Sequence, residues 1–208
     1  MGSEVQDHIL KMTYAFVERD LVTAQQMIDA DRSINQRRIN IGLDALRLIA
    51  TQSPMAGDMR MIAVILEAVG ELERIHDYVK GIGKISLAIG PEPIPPPLAQ
   101  RLPEMGETAG EMLFQALKAF ANRDEALARR VPAMDDRVDD LFNELYEAII
   151  NIVLADPTQI HRASRLEWAL HNLERAADRT INICEWVVYM ITGVYAEMDM
   201  GEYEAPPE

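Results

Sequence analysis

Leu-Glu-Arg-x-x-Asp occurs twice in this chain, as the run from Leu72 to Asp77 and again from Leu173 to Asp178. Two acids four residues apart on a helix repel by roughly 0.2–0.5 kcal/mol, so Glu73/Asp77 and Glu174/Asp178 need cations nearby or a reason to keep their charge. Upstream of each lies a second pair at the same spacing, Asp31/Asn35 and Asp135/Asp139, and a proline break separates the two motifs in both cases. On a helical wheel Glu73 and Asp77 share their strip with Met59, Ile62, Ala63, Leu66 and Gly70, which puts them at the edge of a covered surface, where unpaired charge is costly. Glu167, His171, Glu174, Asp178 and Glu185 form a second strip, with Asn182 at its border. Three fates are open to such acids: pairing with arginines of neighbouring helices, simple solvation, or seating a hard or borderline cation such as Mg, Mn or Fe. Spacing alone favours salt bridges over metal.

Other chemistry is sparse. Glu73-x-x-His76 has the form of the unit that di-iron bundles use twice, but its counterpart position is Ala177. His171 lies three residues before Glu174, and His8 and His161 carry no visible motif context. The chain has no Gly-rich phosphate loop, nucleophile elbow or cysteine cluster, and no catalytic residue is assigned. The single cysteine, Cys184, falls on an apolar helix side and reads as core filler. It cannot close an intrachain disulfide, which suits a reducing compartment.

The elements that must position these acids are helices. Hydrophobic residues make up 49% of the 208-residue chain and aromatics only 6%, and Leu, Ile, Met, Ala, Glu and Arg dominate. A net charge of −14 argues against nucleic acid, which needs a basic stripe, and against direct contact with an anionic membrane surface. The opening residues lack a basic region followed by an apolar core, so no signal peptide is expected. No apolar run is long enough to span a bilayer, and the location expected is cytoplasmic.

Five prolines between Pro91 and Pro97 divide the chain into 1–90, a stiff connector 91–103, and 104–208. Each half reads as three helices: about 4–19, 21 to the TQSP break at 51–54, and from Pro54 to 90; then 99–122, 124–155 and 157–195. In the third, Met61, Ile65, Ala68, Leu72, Ile75, Val79 and Ile82 make a bundle seam, while Arg60, Glu67, Glu71, Arg74 and Tyr78 form the solvated side. The fold class is all-α, two tandem three-helix bundles with six long helices, produced by duplication of one bundle.

Taken together, Asp-x-x-Ile/Val-Asn/Asp, a proline, Leu-Glu-Arg-x-x-Asp, written twice and closed by TINICEWVVYMITG, resembles the PhoU family of phosphate-signalling regulators over nearly the whole chain. The resemblance implies a cytoplasmic regulator without turnover. It would link the ATPase subunit of a phosphate ABC transporter to a sensor histidine kinase and hold the phosphate-starvation response off when phosphate is ample. It also implies a homodimer, membrane contact only through partners, and metal binding (iron, or Mn, Zn or Mg) by Glu/Asp-x-x-x-Asp pairs. Mapped here, those pairs are Glu73/Asp77 and Glu174/Asp178, supported by Asp31/Asn35 and Asp135/Asp139. The first set departs from the family pattern: His76 replaces a small residue, Arg38 stands where a glutamate is common, and Gly81 and Lys84 face Asn182 and Glu185 of the second. Two other readings compete: a di-metal carboxylate enzyme on a bundle, and a metal-free helical adaptor whose acids make only ion pairs.

Overall fold

The computed structural model describes residues 1–198, which contain six long helices and no strand. The Asp20 carboxylate accepts from the backbone N–H of Val22 and Thr23, opening α2 (Leu21–Gln52) directly behind α1 (Gly2–Glu18), an N-cap that satisfies otherwise orphaned donors. Ser53, in the left-handed region, ends α2 ahead of Pro54, and α3 (Ala56–Ile89) runs back to Gly90 at φ 76°.

α4 (Pro96–Asn122) begins inside the stretch expected to be a connector, because proline is tolerated in a first helical turn, whose N–H groups lack partners anyway. The helix expected over 124–155 is interrupted. α5 (Glu125–Ala128) is a single turn, a 3₁₀ turn Pro132–Met134 follows, and α6 (Asp135–Ala155) starts afresh. Pro132 supplies the reason: it lacks the N–H that would continue the ladder, and its ring clashes with the carbonyl one turn back. α7 (Ile160–Thr192) stops at Gly193, φ 77°. Of the expected second half, 199–208 lie outside the described residues.

α1–α3 form one bundle and α4, α6 and α7 the other; the two join along α3 against α7, the most extensive helix contact in the molecule, and along α1 against α4. The α3–α7 pair is antiparallel: Arg165 near the start of α7 donates to Ala88 O at the end of α3 (2.8 Å), and Arg179 further on pairs with Glu71 (3.7 Å). One continuous apolar core therefore serves both repeats. The connector is pinned at both flanks. Arg19 donates to Ser86 O (2.8 Å) and Gly90 O (3.1 Å), and Arg162 pairs with Glu92 (2.6 Å). In the α3 seam Ala68, Leu72, Ile75, Val79 and Ile82 are buried as expected, whereas Met61 and Ile65 are only half-buried and Val64 is fully enclosed. Among the described residues no helix is long and apolar enough to cross a membrane.

Candidate metal centre

The second repeat brings Asp135 and Asp139, in the first two turns of α6, against Glu174 and Asp178 of α7. Asp135 is 7% exposed, and its Oδ1 is buried without a hydrogen-bond partner. Burial, and behind it the charges of Asp139, Asp178 and Asp136, pushes Asp135 up to about 7. Burial with Asp178, Asp139 and Asp135 does the same to Glu174, also to about 7. Asp178 is raised by burial and by Asp139 against the pull of Arg179 and Arg175, and Asp139 by burial and by Asp136 and Asp140. Among the described residues these four acids make one contact at salt-bridge distance, to an imidazole: His171 Nδ1 lies 3.3 Å from Glu174 Oε2, and that oxygen too is buried and makes no hydrogen bond. Four carboxylates thus crowd one interhelical seam with little compensating charge. An all-oxygen set with an adjacent imidazole suits a hard or borderline cation. Among the described residues no three His, Cys, Asp or Glu side chains are drawn into a closed ligand sphere; a bound cation would have to gather them.

The first repeat has the same backbone plan and the opposite electrostatics. Asp31 and Asn35 on α2 face Glu73 and Asp77 on α3, and cations of the chain stand among them. Lys80 Nζ lies 2.7 Å from Asp31 Oδ2 and 3.2 Å from Asp77 Oδ1, and Arg38 Nε lies 4.0 Å from Glu73 Oε2. Asn35 Nδ2 donates to Asp31 Oδ2 at 3.1 Å. Burial pushes Asp31 up, but hydrogen bonding and charge from Lys80 outweigh it and hold the carboxyl below its ordinary range; Lys80 in turn is raised by its bond to Asp31. His76 points into the bundle, fully buried, with Nε2 2.9 Å from Nδ1 of His8 on α1 and Nδ1 3.5 Å from Asp31 Oδ1. Burial lowers both imidazoles, so the pair is neutral with one ring donating to the other.

The second acidic strip does not stay together. Glu185, 5% exposed, turns away from Asp178 and accepts from the Tyr195 hydroxyl and the Met198 N–H (both 2.8 Å), which fold the segment after α7 back over it. Asn182 Nδ2 donates to Glu71 Oε2 (3.3 Å). Glu71, expected on the solvated side, is only 8% exposed because that side of α3 meets α7, where Arg179 and Arg74 (3.4 Å) bracket its carboxylate. Glu71, Arg74, Arg179, Asn182, Glu185 and Trp186 line a cleft of about 460 Å³ between the two helices. The wheel of a single helix cannot reveal Glu71's burial. Lys80, three residues after Asp77, was legible in the sequence as an i,i+3 partner.

A family model for the PhoU domain matches residues 1–86 and again 102–187, once per bundle. A phosphate-specific transport system accessory protein PhoU homolog of Pseudomonas putida is 32% identical over 193 residues, spanning 93% of this chain and 75% of that protein. A homolog of the same name from Streptococcus pneumoniae is 30% identical over 199 residues, 96% of this chain and 92% of the relative. The crystal structure of PhoU from Pseudomonas aeruginosa superimposes with a TM-score of 0.86 at 31% identity, covering 93% of both chains. That of the phosphate transport system regulatory protein PhoU from Streptococcus pneumoniae gives 0.86 at 29%, covering 95% of this chain and 92% of its own. With both repeats matched in sequence and the paired bundles matched in shape, the chain belongs to the PhoU family.

Proposed function

We propose that this protein is a cytoplasmic regulator of phosphate uptake and phosphate-starvation signalling, a negative regulator that links a phosphate ABC transporter to a sensor histidine kinase and catalyses no turnover. The relatives' names, accessory and regulatory proteins of phosphate transport, support the reading. So does the chemistry of the surface. A chain of net charge −14 docks by complementarity on basic patches of the transporter ATPase subunit or the kinase, and phosphate status biases which complex forms. A homodimer belongs to the same reading, supported by the uncovered apolar stripe Ile39, Leu43 and Leu46 on α2.

Metal binding in this reading belongs to the second repeat and rests on one observation, the buried and unpartnered oxygen of Asp135. Asp135, Asp139, Glu174 and Asp178 would hold Fe, Mn, Zn or Mg. The ion would neutralise a cluster that burial and mutual repulsion otherwise drive toward protonation, and would tie α6 to α7.

The test is affinity capture of the tagged protein from its own cells in phosphate-rich and phosphate-starved medium. Enrichment of a transporter ATPase or a sensor kinase that changes with phosphate is the expected result. Absence of both in both media overturns the regulatory reading.

A further inference from the structure

We propose that the first repeat carries its own cation in place of a metal ion: the Lys80 ammonium closes the seat between Asp31 and Asp77 and fixes α2 to α3. The inference concerns the first repeat alone and stands whether or not the second repeat takes metal.

Three observations carry it. Lys80 Nζ touches an oxygen from each helix, Asp31 on α2 and Asp77 on α3, at 2.7 and 3.2 Å, so a divalent ion bridging the same acids would have to displace it. Arg38 approaches Glu73, the remaining acid, at 4.0 Å. Each acid of the first repeat therefore has a protein cation, and the fourth position is the neutral Asn35.

The second repeat shows what was exchanged. The step of 101 residues that takes Glu73 to Glu174 takes Lys80 to Ile181, and the step that takes Asp31 to Asp135 takes Arg38 to Phe142. Ile181 is 1% exposed and Phe142 packs against the core. At these two matching positions one repeat offers cations and the other hydrocarbon, so among the described residues the four carboxylates of the second gain no lysine or arginine within salt-bridge distance and only His171 beside Glu174. Duplicated bundles have thus diverged into a seat closed by an internal ion pair and one whose acids crowd together without such a cation. Asp31 is half-buried and Asp77 exposed, so the pairing to Asp31 across the helices is the one that binds α2 to α3, and Lys80 is a cross-link of the bundle and a barrier to metal at once.

The experiment uses the full chain carrying Asp135→Asn, Asp139→Asn, Glu174→Gln and Asp178→Asn, which removes all four acids of the second seat, and follows Mn²⁺ by calorimetry and by thermal melting. With Lys80 present, no Mn²⁺ binding and no metal-dependent rise in Tm are expected. Adding Lys80→Ala or the bulkier Lys80→Gln lowers Tm in chelator and creates Mn²⁺ binding that restores it. Lys80→Arg, which keeps the charge, stays without metal. Mn²⁺ binding by the Lys80 parent that is lost on Asp31→Asn overturns the proposal, as does a folded Lys80→Gln chain that gains none. Failure of the unmodified protein to bind any Mn²⁺ counts against metal in the second repeat and leaves this comparison intact.

Discussion

Asp135 and Glu174 stand on different helices, yet burial and shared repulsion bring both carboxyls up to about 7. The folded state therefore holds protons that the unfolded chain releases near pH 4. The stability these protons confer is complete below that point and is lost as pH rises through about 7. In chelator, the protein is expected to melt at progressively lower temperature between pH 5 and pH 8. Asp135→Asn should flatten that slope and stabilise the chain at pH 8 by on the order of 1–3 kcal/mol, measured by urea unfolding at both pH values. A variant no more stable than its parent at pH 8 would contradict the burial of uncompensated charge.

Where α1 crosses α4, a methyl group on Gly106 would lie 2.4 Å from Thr13 Oγ1. Thr13 is itself buried and donates to Ile9 O at 2.9 Å, so it cannot swing aside without losing that bond. Gly106→Ala should cost about 1–3 kcal/mol by overpacking, and combining it with Thr13→Ala should recover part of the loss. A midpoint in urea unchanged by the single substitution would mean that the two helices have room to part.

Cys184 is fully enclosed, and burial, with Glu185 beside it, pushes its thiol up to about 12. Since the thiolate is the reactive form, Ellman's reagent should leave it untouched in the native protein and titrate it fully in denaturant. Fast labelling of the native chain would show that the end of α7 opens readily.

Burial, then the hydrogen bond to Glu185, pushes the Tyr195 phenol up to about 12. The Tyr195 ring also lies 4.8 Å from Trp186. Glu185→Leu removes the acceptor of both Tyr195 and the Met198 N–H, so the segment after α7 should loosen. Ultraviolet titration should find one tyrosine moved back toward the ordinary value near 10, with Trp186 emission shifted to the red. An unchanged titration would mean that ring packing alone holds the segment.

Much of the fold was legible because helix ends are local chemistry. The TQSP break and Gly90 stop helices wherever they stand, and Asp20 opens α2 by capping it. The seam from Ala68 to Ile82 followed from period alone. Pro132 was an equally local signal, yet the acidic run after it read as one long helix through it; α6 instead begins at Asp135 and sets the first two site acids in its opening turns. Glu71 was misplaced for a different reason. Amphipathic analysis assigns one buried face per helix, but α3 packs against both its own bundle and α7.

The sequence by itself determined the duplicated all-α plan and the four paired motifs, because periodicity, proline breaks and acid spacing act within a helix or its immediate neighbour. Only the tertiary structure decided which acids keep their charge. Interhelical packing sets Lys80 between Asp31 and Asp77 and puts the buried Ile181 at the matching place in the second repeat. The physical reason is that an ion pair depends on distance and burial across helices, and neither is written in spacing along one.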